Sequence, residues 1–129
     1  MKKKDIISKI HLVISVLVVV LAAFVYGFFP DVYFDIYLNT TDELNVFKAI
    51  MGMYLGFSFL WVLGIFKHRF LKVALISNVI FMLGIGIGRL LSWAIDGTPT
   101  AIFQIGVFGE IILGFYGLWV LNKGYFKNP

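Results

Sequence analysis

The sequence has no cysteine, 3 prolines, 2 histidines and only 14% charged residues. Without cysteine there is no disulfide, no thiol nucleophile and no cysteine-ligated metal or iron-sulfur cluster. His11 and His68 have no acids at ligand spacing, so no metal site is expected. A soluble domain usually carries about 25% charged residues, and this shortfall excludes an ordinary water-soluble fold. What fills the chain is apolar: 60% of its 129 residues are hydrophobic.

The apolar residues fall into four runs, about 10–29, 46–66, 73–95 and 101–121. Each reaches the roughly 20 residues that a helix needs to cross a hydrocarbon core. The connections between them are too short for a further domain, so residues 1–129 read as a single four-span domain without a soluble catalytic module. The first run contains "VISVLVVVLAAF", a β-branched stretch that would suggest a strand in water. In lipid every backbone group must be satisfied within the segment, and that decides for helix. The expected fold is all-α, an integral membrane four-helix bundle. Met1 to Lys4 before an apolar run also suggest a signal peptide, but the run is long and no small-x-small cleavage site follows in "YGFFPDVYF", so it is kept as the first span.

The net charge of +4 becomes informative when mapped. Lys2, Lys3, Lys4, Lys9, Lys67, Arg69, Lys72, Lys123 and Lys127 fall at the end holding both termini and the 67–72 turn, whereas Asp31, Asp35, Asp42, Glu43, Asp96 and Glu110 lie toward the other side. The positive-inside rule then puts both termini in the cytoplasm. Short basic flanks of membrane spans offer no groove for nucleic acid, so no nucleic-acid partner is expected.

The connections carry local signals. Pro30 ends the first span and suits the first turn of a short helix, and residues 31–39 are expected to continue as an amphipathic helix on the outer surface. Thr40 and Glu43 have capping-box spacing before the second run. Asn39-Thr40-Thr41 is formally a glycosylation sequon, read as coincidence. "KHRFLK" and "DGTPT" are tight, so the spans they join are antiparallel neighbours. Tyr26, Tyr33, Tyr37 and Trp93 near one interface, and Trp119 and Tyr125 near the other, match aromatic belts.

Three charged residues within the spans need a reason: Lys48, Arg89 and Glu110. A charge at a helix centre costs on the order of 2.5 to 3.5 kcal/mol on insertion scales. At 1.5 Å per residue, Arg89 lies roughly 9 Å and Glu110 roughly 13 Å from the outer ends of their spans, a difference an extended arginine can reach across. Small residues surround them. Glu110 shares its stripe with Gly106, Gly114 and Gly117; Lys48 is followed on its face by Gly52 and Gly56; Arg89 shares its side with Gly86, Ser92 and Asp96, with Gly84 and Gly88 on the adjoining stripe. Small-residue stripes are where membrane helices approach closely, so the charges are expected to face the bundle interior. Arg89 is expected to pair with Glu110, with Asp96, Ser92 or Lys48 completing a polar cluster. Lys48 also reads as a side chain that snorkels to the headgroups.

Other signals resolve to packing. "GIGIGR" has Arg89 where a dinucleotide loop needs its third glycine, and no βαβ unit surrounds it. Ser77 and Asn78 read as helix-to-helix hydrogen bonding, His11 and His68 as cytoplasmic flanks, and Ser15 and Ser58 lack a base for nucleophilic work.

"DELNVFKAIMGMYLGFSF", "GRLLSWAIDGTPT" and a glutamate in the last span together resemble the small four-span bacterial membrane proteins of domain-of-unknown-function family 4345, which is similar to the wider DoxX-like group. Gly88-Arg89 with Ser92, Asp96-Gly97 and Pro99 is the most specific part. The resemblance implies a four-helix membrane bundle, expected in the bacterial inner membrane, with no established activity; the sequence supplies no haem, flavin or metal motif, so no cofactor is expected, and Lys48 stands where the family pattern suggests an arginine.

Three functional readings remain open. The first is a noncatalytic binding or accessory protein in which Arg89 and Glu110 organise a site for membrane lipid, a lipophilic small molecule or a partner helix. The second is a proton-coupled enzyme or transporter using Glu110, and the third a structural subunit of a homo-oligomer or larger membrane complex. A binding protein should have a cavity reaching Arg89 and Glu110, whereas a clasp should have them packed shut.

Overall fold

The computed structural model describes residues 3–127. Met1 and Lys2 of the basic N-terminal flank lie outside the described residues. The described chain is helical without strands: α1 (Lys3–Phe28), α2 (Pro30–Phe34), α3 (Thr41–Phe66), α4 (Leu71–Asp96) and α5 (Ala101–Lys123), with a 3-10 turn at His68–Phe70 before α4. Four of these helices, all but α2, are long and apolar enough to cross a membrane. The chain is therefore an all-α, multi-pass membrane protein, and four spans put both termini at one end of the bundle, called here the terminal end.

Local chemistry sets the helix ends. Thr40 caps α3, its hydroxyl accepting from the Glu43 amide at 3.1 Å, while the Glu43 carboxylate reaches back to the Asn39 amide at 2.7 Å. These bonds satisfy donors that the first turn cannot satisfy itself. Pro30 occupies the first turn of α2, and Asp35 then turns left-handed at φ 56°. The Ile36 amide closes onto the Pro30 carbonyl at 3.0 Å. Helix thus stops at Phe34, and residues 35–39 have no regular structure, which corrects the expected amphipathic helix over 31–39. A single left-handed residue outweighed the periodic pattern. Gly97, at φ 113°, ends α4 in a conformation that glycine adopts without steric cost.

The helices associate as two antiparallel pairs, α1 with α3 and α4 with α5, joined chiefly by α3 against α4. The packed core lies toward the terminal end, where Trp61, Leu12, Leu71, Leu75 and Val120 are all at most 1% exposed. Trp61 donates to the Ser77 hydroxyl at 3.1 Å, and Ser77 donates to the Ala74 carbonyl at 3.0 Å. At this end α1 also touches α5: the Tyr116 hydroxyl donates to the Ile7 carbonyl at 2.6 Å, and the Tyr116 ring lies 5.1 Å from the ring of His11. Toward the distal end α1 and α5 part. Helix α2 bridges that gap, with Phe34 4.9 Å from the Tyr26 ring and 5.1 Å from the Phe103 ring.

Candidate functional site

The separation of α1 from α5 leaves a cavity of about 610 Å³ in the distal half, within the range of about 300 to 1,000 Å³ usual for small-molecule sites. Its walls come from all four spans and its roof from α2. Most of the lining is aliphatic or aromatic. Leu21 on α1 is 70% exposed, and Ile105 and Ile112 on α5 are 71% and 67% exposed, so the flanks of the cleft face the surroundings of the bundle. In a membrane those surroundings are acyl chains.

Arg89 and Glu110 both line this cavity. Arg89 Nη1 donates to Glu110 Oε1, forming the one ion pair among the described residues. Its Nη2 donates to the Phe103 carbonyl at 2.8 Å, and the guanidinium lies 5.3 Å from the Phe103 ring centroid. Two glycines make the approach possible. A Cβ at Gly106 would sit 3.0 Å from Arg89 Nη2, and one at Gly86 would meet the Ile111 side chain at 2.7 Å and Glu110 Cβ at 3.5 Å. A Cβ at 106 would thus press on the guanidinium and shift it by a few tenths of an ångström. Glu110 Oε2 is buried and has no hydrogen-bond partner among the described residues. The phenols of Tyr26 and Tyr54 line the same space, their rings meeting edge to face at 5.6 Å.

The remaining charged or polar residues of the expected cluster lie elsewhere. Ser92 donates to Asp96 at 2.8 Å on the exposed distal surface, one turn apart on α4. Neither joins Arg89, because both sit beyond it toward the helix end. Lys48 is exposed; its Nζ donates to the Gly27 carbonyl at 3.1 Å and lies 5.5 Å from the Phe28 ring centroid. It ties α3 to the end of α1 and does not complete the Arg89 network. Lys48 contributes instead to a second, polar depression of about 320 Å³ that also includes Asp31 and Asn39.

The glycines divide in the same way. Gly114 and Gly117 are buried against α4: a Cβ at Gly114 would lie 2.7 Å from Leu83 Cγ, and one at Gly117 would lie 2.8 Å from Val79 Cγ2 and 3.1 Å from His11 Nε2. A Cβ at Gly52, Gly56, Gly84 or Gly88 meets nothing within 4 Å. These four glycines are exposed and meet no neighbour within the bundle. Small size permits close approach, but it does not supply the neighbour.

His11 is 2% exposed and buried against α5, so it belongs to the core and not to a flank. Helix α1 begins before the apolar run, and its inward face at this end carries Ser8, outside the run, with His11 and Ser15 inside it, all buried. Both His11 ring nitrogens, the Asn78 amide and the Ser58 hydroxyl lack hydrogen-bond partners among the described residues. Of the cavity's tyrosines, Tyr26 and Tyr33 were legible only as interface aromatics, and Tyr54 went unremarked. Gly109, another lining residue, shares the Glu110 side of α5 with Gly106 by its three-residue spacing, a signal that sequence reading passed over.

No curated protein and no solved structure matches the chain. The family model described as "Domain of unknown function (DUF4345)" matches residues 7–121, a stretch that contains all four spans' apolar cores together with Arg89, Glu110 and the residues that seat them. On that match the chain belongs to the DUF4345 family.

Proposed function

We propose that the protein is a noncatalytic binding protein of the bacterial inner membrane that takes up a lipophilic molecule through the cleft between α1 and α5. One observation carries this reading: the only described ion pair within the spans lines a cavity of about 610 Å³ and is not packed shut. A clasp that served only to fix helix register would gain nothing from an adjoining opening. The ligand's apolar part would lie against the aliphatic walls, and Arg89 and Glu110 would fix its polar end, the usual division in such sites. The concentration of lysine and arginine at the terminal end supports cytoplasmic termini, which turns the cavity toward the outer leaflet.

An acid-base reading is favoured by one feature, the presence of the Tyr26 and Tyr54 phenols on the same lining as Glu110. It ranks second because one carboxylate oxygen of Glu110 is already occupied by Arg89.

Purification in mild detergent followed by mass spectrometry of copurifying lipids tests the binding reading. A defined lipophilic species is expected with the wild-type chain and is expected to be depleted in Arg89→Ala and Glu110→Ala variants that remain folded by circular dichroism. Lipid profiles identical across all three proteins would overturn it.

A further inference from the structure

At the terminal end, away from the cavity, the chain after α5 forms a compact hook. Helix α5 stops at Lys123, and Gly124 turns left-handed at φ 69°, which glycine does without steric cost. The Gly124 amide closes onto the Val120 and Leu121 carbonyls at 3.1 and 3.2 Å, and the Lys127 amide closes onto the Gly124 carbonyl at 3.1 Å. The turn brings two rings back to the bundle. Phe126 packs against the buried core that includes Leu12 and Leu71, and the Tyr125 ring meets Trp119 edge to face at 5.9 Å.

This hook gathers lysines from three parts of the chain. Lys4 of α1 holds its ammonium 6.0 Å from the Tyr125 ring centroid, and Lys72 of α4 holds its own 5.9 Å from the Phe126 centroid, at the edge of cation–π range. Lys123 ends α5, and the Lys127 side chain folds over Gly124, where a Cβ would lie 3.7 Å from Lys127 Nζ. All four lysines are exposed. Asp5 is the one acidic side chain at this end, and the one ion pair among the described residues, Arg89–Glu110, lies in the distal half. Positive charge is therefore collected around two packed rings without a carboxylate paired to it.

Lysines that only snorkel from helix ends point independently to water. Here the rings draw Lys4 and Lys72 together against their mutual repulsion, which an arriving anion relieves. An ammonium is a compact point charge suited to phosphate. Beside the cluster the bundle surface is apolar, with Ile6, Val73 and Trp119 exposed. A soluble polyanion could meet the charges but not this flank, whereas a phospholipid meets both.

We propose that Lys4, Lys72, Lys123 and Lys127, set around Tyr125 and Phe126, form a head-group site for an anionic phospholipid of the leaflet at the terminal end. The phosphate lies among the ammonium groups, and the acyl chains run along the apolar flank. The site is independent of the cavity and of whatever the cavity binds.

The test uses the full chain in a zwitterionic detergent, titrated separately with phosphatidylglycerol, with phosphatidylcholine of the same acyl chains and with glycerol phosphate, occupancy being read by native mass spectrometry. Phosphatidylglycerol should bind about tenfold or more tightly than phosphatidylcholine, since each lysine beside an anionic head group contributes on the order of a fewfold in affinity. Lys4→Gln/Lys72→Gln should remove most of that preference. Lys67→Gln/Arg69→Gln deletes the same charge from the neighbouring turn, where Lys67 ends α3 and Arg69 lies 4.6 Å from the Phe70 ring, and should keep it. Equal binding of the two lipids would overturn the proposal, and equal losses in the two double variants would replace the site by diffuse surface charge. Glycerol phosphate binding as tightly as phosphatidylglycerol would overturn the lipid as occupant.

Discussion

Removing one member of the Arg89–Glu110 pair should cost far more than removing both. In Arg89→Leu the Glu110 carboxylate, whose side chain is 15% exposed, loses its cation, and the Phe103 carbonyl loses a charged donor at 2.8 Å. Breaking a fully buried pair this way costs about 3 to 5 kcal/mol. The pair here is partly relieved by the cavity, with Arg89 26% exposed, so about 2 to 3 kcal/mol is the expected loss. Glu110→Leu should lose a similar amount, because the guanidinium then stands unopposed. The double variant Arg89→Leu/Glu110→Leu removes both charges and fills part of their volume with apolar groups, which for buried pairs is often neutral. It should lie within about 1 kcal/mol of wild type, giving a coupling energy of about 3 kcal/mol or more, at or above the top of the span usual for contacting residues. Reversible unfolding in mixed micelles, titrated with denaturing detergent and followed by circular dichroism, measures all four corners of the cycle. Losses that add to within about 0.5 kcal/mol would mean that the two side chains do not sense each other, and the site as described would fail.

Three further outcomes follow from the packing. Gly114→Val should destabilise the bundle by about 1 to 3 kcal/mol through overpacking, because its Cβ would lie 2.7 Å from Leu83 Cγ, whereas Gly56→Ala, which meets open space, should be neutral or gain up to about 1 kcal/mol of helix propensity; the same unfolding assay compares them. His11→Leu removes two buried ring nitrogens that have no partner among the described residues and should raise stability by about 1 kcal/mol, so a comparable loss in that assay would reveal a polar partner for the ring. The absence of cysteine makes labelling clean: in intact cells a membrane-impermeant maleimide should modify Asn39→Cys but reach Asn122→Cys only after permeabilisation, and the reverse pattern would invert the proposed orientation.

The helices were legible because what specifies them is local. Apolar length dictates a spanning helix, and the Thr40 hydroxyl finds the Glu43 amide three residues away whatever the rest of the chain does. Partner choice is not local. Lys48 bonds the Gly27 carbonyl across two helices, a contact that depends on how α1 and α3 are offset and that no periodicity encodes. The same limit separates Gly106, which seats the Arg89 guanidinium, from Gly52 and Gly56, which meet nothing. All three look alike as small residues on a charged stripe. His11 was misplaced for a related reason: it stands at the start of the apolar run and was read as a flank, but α1 starts at Lys3, so residue 11 lies about two turns inside the helix on its inward face. The cavity itself was invisible in the sequence, since a void is a property of how far two helices stand apart.

The position of that void explains why the charges are where they are. An ion pair in the terminal half would have to be enclosed with Trp61, Leu71 and Leu75, all at most 1% exposed, and its desolvation would exceed what the pairing returns unless every remaining donor and acceptor were satisfied. In the distal half the same pair keeps a partly open side, with Arg89 26% exposed, so part of that desolvation is avoided. The tight contact of α5 with α4 through Gly86, Gly106, Gly114 and Gly117 holds Glu110 and Arg89 on one rigid wall. The opposing wall, α1, meets α5 at the terminal end, where His11 and Ile7 contact Tyr116 and His11 packs beside Gly117. A bundle closed at one end and parted at the other can thus fix a polar recognition wall on one helix pair while leaving the apolar flank open to whatever partitions into the membrane.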